Sequence, residues 1–140
     1  MSDIVVTVPK NFRRPGAPGL RGLAAWIAEG DCPEDPPGTN FLNAKDVEWL
    51  FSTYGPKPRI VAGERVYVVC ENRLRGYAPL VRMNFFPRNG VSAPQGTVEL
   101  IRRGDAVAVT IDERIVGFRG WHYRWWERSI EVGFPEWRTP

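Results

Sequence analysis

The chain has 140 residues, 43% of them hydrophobic and 25% charged, with a formal net charge of +3. That is the size and balance of one globular domain, spanning 1–140, with a core of its own. It argues against a disordered polyelectrolyte and against tight nonspecific duplex binding, which needs a strongly basic face.

Proline and glycine, 13 and 14 residues, cut the chain into short pieces, as a β-rich domain requires. Residues 4–8, IVVTV, read as a β-branched first strand, and NFRRPGAPG follows as a basic, turn-rich loop. Residues 20–29, LRGLAAWIAE, suit a short helix with Leu23, Trp26 and Ile27 on one face. GDCPEDPPGTN is an irregular acidic loop; from Glu29 to Glu48 one Lys stands against six Asp/Glu, a net charge of −5, so this region should face away from a polyanion. VEWLFST (47–53) alternates as a strand does, although Val47, Leu50 and Phe51 also fit a helix, and GPKP is a turn. ERVYVVC (64–70) and LRGYAPLVRM (74–83) flank Glu71-Asn72-Arg73 as a hairpin, with Pro79 marking an edge or a bulge. TVELI (97–101) and AVAVTI (106–111) flank RRGD as a second hairpin, and AVAVTI is apolar on both faces, as a strand buried on both sides would be. Further strands follow in ERIVGFRG and WHYRWWE. The expected fold is mainly β (α+β): a small mixed barrel of five to seven strands with one or two short helices.

No apolar run reaches the roughly 18 residues of a membrane helix. MSDIVVTVPKNFRR lacks the features of a secretion signal. Cys32 and Cys70 make neither a disulfide framework nor a zinc pattern. The expectation is a cytoplasmic protein with no membrane partner, no metal and no cofactor. Catalytic signals are sparse. A nucleophile could use only the single histidine, His122, and Cys32 sits among carboxylates that would raise its pKa. No glycine-rich phosphate loop occurs.

The positive signal is the C-terminal stretch GFRGWHYRWWERSIEVGFPEWRTP, which holds four of the six tryptophans. If 121–126 is extended, Trp121, Tyr123 and Trp125 share one face, while His122, Arg124 and Trp126 share the other with Arg128. The first stripe suits burial. The second alternates ring and cation, as surfaces that stack bases and hold phosphates do. Sixteen of the 19 basic residues are arginine, which offers a planar, bidentate fork. Trp26, Trp49, Arg75, Tyr77, Arg119, Trp121, His122, Arg124 and Trp126 are therefore the candidate base- and phosphate-binding residues. The competing reading of each tryptophan is core packing.

"RIVAGERVYVVCENRLRGYAPLVRM" resembles the core signature of PUA-like domains, the superfamily that includes the ASCH, EVE and YTH groups. Gly63-Glu64 stands where Gly-Asp is usual, and Gly76 and Ala78 supply the later pair. The resemblance implies a PUA-like barrel and nucleic-acid work on RNA or DNA, with a modified or flipped base held between aromatic side chains. It also implies an alternative, since some ASCH members resemble small hydrolases of modified nucleosides that use a Lys, a Thr and a Glu. Lys10, Lys45 and Lys57 lack that context, so binding is favoured over catalysis. A third reading is a protein-interaction module with a Trp/Arg patch.

Overall fold

The computed structural model describes residues 2–14, 17–30, 48–88, 95–103 and 106–134. Among the described residues the architecture is mainly β, a curled six-stranded mixed sheet with one α-helix, as a small β-barrel requires. The strands are β1 (Ile4–Thr7), β2 (Arg13–Arg14), β3 (Ala17–Arg21), β4 (Trp49–Pro56), β5 (Arg65–Cys70), β6 (Arg73–Pro87), β7 (Gln95–Arg102), β8 (Val109–Thr110), β9 (Trp121–Tyr123) and β10 (Val132–Gly133). The helix α1 (Gly22–Gly30) lies between β3 and β4.

In the main sheet the order is β4-β7-β6-β5-β1-β9, with β1 parallel to β5 and every other pair antiparallel. The two central runs, IVVT and VYVVC, are buried on both faces, which is why they lack polar alternation. Inward, Ile4, Val6, Val66, Val68 and Cys70 meet Leu23, Trp26 and Ile27 of α1, so the helix plugs the curl of the sheet. Outward, Val5, Tyr67, Val69 and Leu74 meet Ile111, Ile115 and Trp126, so the C-terminal part of the chain covers the other face.

Two turns shape the sheet. At the β5–β6 hairpin Glu71 and Asn72 have φ of 54° and 63°, the left-handed pair of a type I′ turn whose twist matches the flanking strands. β6 then changes partner: Arg73–Pro79 pairs with β5, and Leu80–Pro87 pairs with β7, with a register irregularity between Leu80 and Arg82. Pro79, with no N–H to give, stands at that change of partner, where a bulge costs least.

The free edges of the sheet approach each other. Trp121 Nε1 on β9 donates to the Pro56 carbonyl on β4 at 2.9 Å. Gly120 has φ +74°, and a Cβ there would stand 2.6 Å from the Tyr54 carbonyl oxygen, so only glycine lets the edges come this close.

AVAVTI is not the buried central strand its apolar run predicts, and it does not pair with β7. Val107 exchanges backbone bonds with Tyr77 at 2.9 and 2.8 Å and is 40% exposed, and β8 pairs with β10 instead. The segment crosses to the outer face and buries Ile111 there, so its apolarity reflects covering rather than sheet pairing. Gly104, Asp105, the acidic loop with Cys32, and residues 135–140 with Trp137 lie outside the described residues.

Candidate nucleic-acid interface

Much of the C-terminal Trp/Arg cluster is engaged within the fold. The extended face pattern holds only to Tyr123. There the Arg124 N–H donates to the Asp3 carbonyl at 3.1 Å, and beyond it the strand ends. The expected buried stripe of Trp121, Tyr123 and Trp125 is corrected by this departure. Trp126 is 5% exposed and Trp125 is 48% exposed, the reverse of what alternation gives.

Asp3, almost fully buried, holds this region. Its carboxylate accepts from Arg124 Nε at 3.0 Å, from Arg128 NH2 at 2.7 Å and from the Arg65 amide at 2.8 Å. Burial alone would raise the Asp3 pKa, but the Arg65 N–H and the Arg128 and Arg124 guanidinium groups together bring it below the ordinary value. The same contact raises that of Arg128. Beside it Glu131 accepts from Tyr67 Oη at 2.6 Å, from Trp126 Nε1 at 2.8 Å and from Arg65 NH1 at 3.0 Å. Burial, with the Glu131 carboxylate next, pushes the Tyr67 hydroxyl well above the usual tyrosine range.

The other predicted residues fall at several places. Trp26 is in the inner core with the Arg102 guanidinium 3.8 Å from its ring centroid. Trp49, half-buried, begins β4 opposite Arg102. Arg75 is buried on β6, where its Nε donates to the Cys70 carbonyl at 3.0 Å. Tyr77 is half-buried under Arg65, 4.0 Å from its ring centroid. Trp121 packs against the inner core. Arg119 and His122 remain, one following Phe118 in the chain and the other packed against its ring.

Arg119 lines an open groove of about 580 Å³ between β4 and the Phe118–Gly120 segment that leads into β9. Phe51, Ser52 and Thr53 of β4 form one wall, and Thr7, at the end of β1, lies across from them with Phe12 and Arg13. The Phe118 amide donates to Thr7 Oγ1 at 3.1 Å, which fixes that segment against β1. His122, exposed, sets its ring edge-on to Phe118 at 4.3 Å between centroids, just outside the lining. Phe12 and Phe51 are 5.6 Å apart and tilted by 43°.

Two Phe-Arg pairs, Phe12-Arg13 and Phe118-Arg119, thus open on one space with three hydroxyl side chains. No carboxylate, lysine, cysteine or histidine lines it among the described residues, and no ion pair there engages Arg13 or Arg119. Sequence reading picked out tryptophans and passed over these phenylalanines. The available signal was the repeated Phe-Arg dipeptide, in NFRRPG and again between glycines in GFRG.

Among the described residues no group of three or more His, Cys, Asp or Glu could hold a metal ion, and no helix is long and apolar enough to cross a membrane. No protein-family model, curated protein or solved structure matches this chain.

Proposed function

We propose that this protein is a nucleic-acid-binding module and that the groove between β4 and Phe118–Gly120 is where it holds a base. The observation that carries this reading is the pairing of Phe12-Arg13 with Phe118-Arg119 around a space with no carboxylate in its lining among the described residues. Phe12, Phe51 and Phe118 are partly buried against the cores, and the ring area they leave open to the groove offers stacking worth about 1–3 kcal/mol per base. Guanidinium groups beside the rings hold the flanking phosphates. The Thr7, Ser52 and Thr53 side chains offer hydroxyls that can read a base edge by donating or accepting. A volume of about 580 Å³ admits a nucleotide-sized ligand.

The hydrolase reading asks for a lysine or carboxylate at the pocket floor, and neither lines this groove among the described residues. Binding without chemistry is the better fit. The modest net charge agrees with affinity drawn from one stacked base and a few phosphates rather than from a broad basic face.

The test is fluorescence anisotropy of labelled single-stranded oligonucleotides, plain and base-modified, at two salt concentrations. Saturable binding by the native protein is expected. It should weaken roughly tenfold in Arg119→Ser, as loss of one charge-assisted phosphate contact implies, and further in Phe118→Ala. Binding untouched by both substitutions, or no binding at all, would sink the reading.

A further inference from the structure

A second, smaller cavity of about 130 Å³ shares the Pro9–Phe12 turn with the groove, Lys10 lining the cavity while Pro9 and Phe12 line the groove. We infer that it is a phosphate-binding site, built from Lys10, Arg21 and Arg75 beside the first turn of α1. Among the described residues three cationic side chains line it against one carboxylate, that of Glu71.

Backbone contacts frame the cavity. Phe12 N donates to the Pro9 carbonyl at 3.0 Å, and Gly22 N donates to the Phe12 carbonyl at 2.7 Å. Gly22 has φ +61°, and a Cβ there would come within 3.1 Å of the Lys10 carbonyl oxygen. The turn is thereby seated on the start of the helix, and Lys10 is held at the rim. On the sheet side Arg75 is 2% exposed, and its Nε is anchored on the Cys70 carbonyl at 3.0 Å. Burial lowers the Arg75 pKa.

A second observation points the same way without involving Arg75 or the helix. In the β2–β3 ribbon Arg13 lies directly opposite Arg21, and both are exposed. Directly opposed residues share a face with Cβ atoms about 5 Å apart, and like charges there repel. Arg13 lines the groove and Arg21 lines the cavity, so the pair joins the two spaces. An oxyanion held at this ribbon turns that repulsion into a shared contact. The ligand chemistry is a phosphate group, carried by a strand of nucleic acid or free in solution. The site itself does not depend on what the groove binds.

Amide NMR of the isotope-labelled protein tests it, with inorganic phosphate titrated against chloride at matched ionic strength. Saturable shifts confined to Lys10, Arg21–Ala24 and Glu71–Arg75 are expected. The exposed double variant Lys10→Gln/Arg21→Gln should weaken them roughly tenfold. Shifts that never saturate, that follow ionic strength alone, or that persist in the variant overturn the site. Oligonucleotides with a 5′-phosphate and with a 5′-hydroxyl then separate the sources. A roughly tenfold advantage of the phosphorylated strand, lost in the variant, assigns the site to strand phosphate. No advantage alongside saturable inorganic phosphate assigns it to free phosphate. Arg119→Ser read in the same experiment keeps the two proposals apart, because it weakens groove binding and leaves the phosphate shifts in place.

Discussion

On the outer face of the sheet Arg65, Arg124 and Arg128 close on Asp3 and Glu131, with Tyr67 and Trp126 completing the hydrogen bonds. At the groove Arg13 and Arg119 stand beside Phe12 and Phe118, with no carboxylate in the lining among the described residues. The residue types are the same, and their neighbours decide their use. An arginine whose donors are already taken by a buried carboxylate would have to give up that bond to hold a phosphate, whereas an exposed one needs to shed only water. Composition cannot distinguish the two; the position of two acids can.

The contrast breaks first at the tryptophans. Trp126 is buried against Tyr67 and bonded to Glu131, so Trp126→Ala should cost about 3–5 kcal/mol, measured by urea unfolding. Its neighbour Trp125 is half-exposed, with only Glu113 bonded to its indole N–H, and Trp125→Ala should cost about 1 kcal/mol or less. Equal effects would mean that the turn after Tyr123 does not set the two rings apart.

Asp3→Asn comes next, at about 2–3 kcal/mol, below the range for a wholly buried pair because Arg128 is about half in solvent. The sign of its pH dependence follows from the lowered pKa. The stabilisation is fully present above the ordinary value of 3.8 and is lost as pH falls through the lower folded value. Acid unfolding of the variant should therefore depend less steeply on pH below about 4. Tyr67→Phe, which removes one hydroxyl from the same network, should cost about 1 kcal/mol. The raised tyrosine pKa adds a loss of stability above pH 10.0, where the unfolded chain ionises and the folded one does not. The phenylalanine variant lacks that loss.

The fold was legible where the sequence carries local constraints. IVVTV and ERVYVVC read as strands and are β1 and β5, the polar Glu71-Asn72-Arg73 link reads as a hairpin and holds the two-residue turn Glu71-Asn72, and Pro79 reads as an edge or bulge and stands where β6 changes partner. AVAVTI misled because an apolar run reports neither how much of it is buried nor its hydrogen-bond partners: this one lies across the sheet, buries Thr110 and Ile111 and leaves Val107 exposed. The groove was hidden for a different reason. Thr7, Phe12, Phe51 and Phe118 come from distant segments that meet only because the edges of the sheet curl together at Trp121 and Pro56. Neither a phenylalanine nor a threonine stands out singly, while clustered tryptophans do, and of those Trp121 and Trp126 are structural here.

The smallest expected effect separates the two regions most sharply. Arg13 and Arg21 face each other across a two-stranded ribbon, so Arg13→Thr removes a repulsion and puts a β-branched residue on a strand. Stability should rise by about 0.2–0.5 kcal/mol, which replicate urea titrations can resolve. Oligonucleotide binding by the same variant should fall. The matching change on the outer face, Arg124→Thr, should lower stability by about 1–2 kcal/mol, because it takes a charged donor from buried Asp3. A residue whose removal stabilises the fold and weakens binding is held in place by its ligand. One whose removal destabilises the fold is held by the fold. If Arg13→Thr instead destabilises the protein, the ribbon arginines belong with the Asp3 network, and the groove loses its claim to be the separate, ligand-facing use of arginine in this chain.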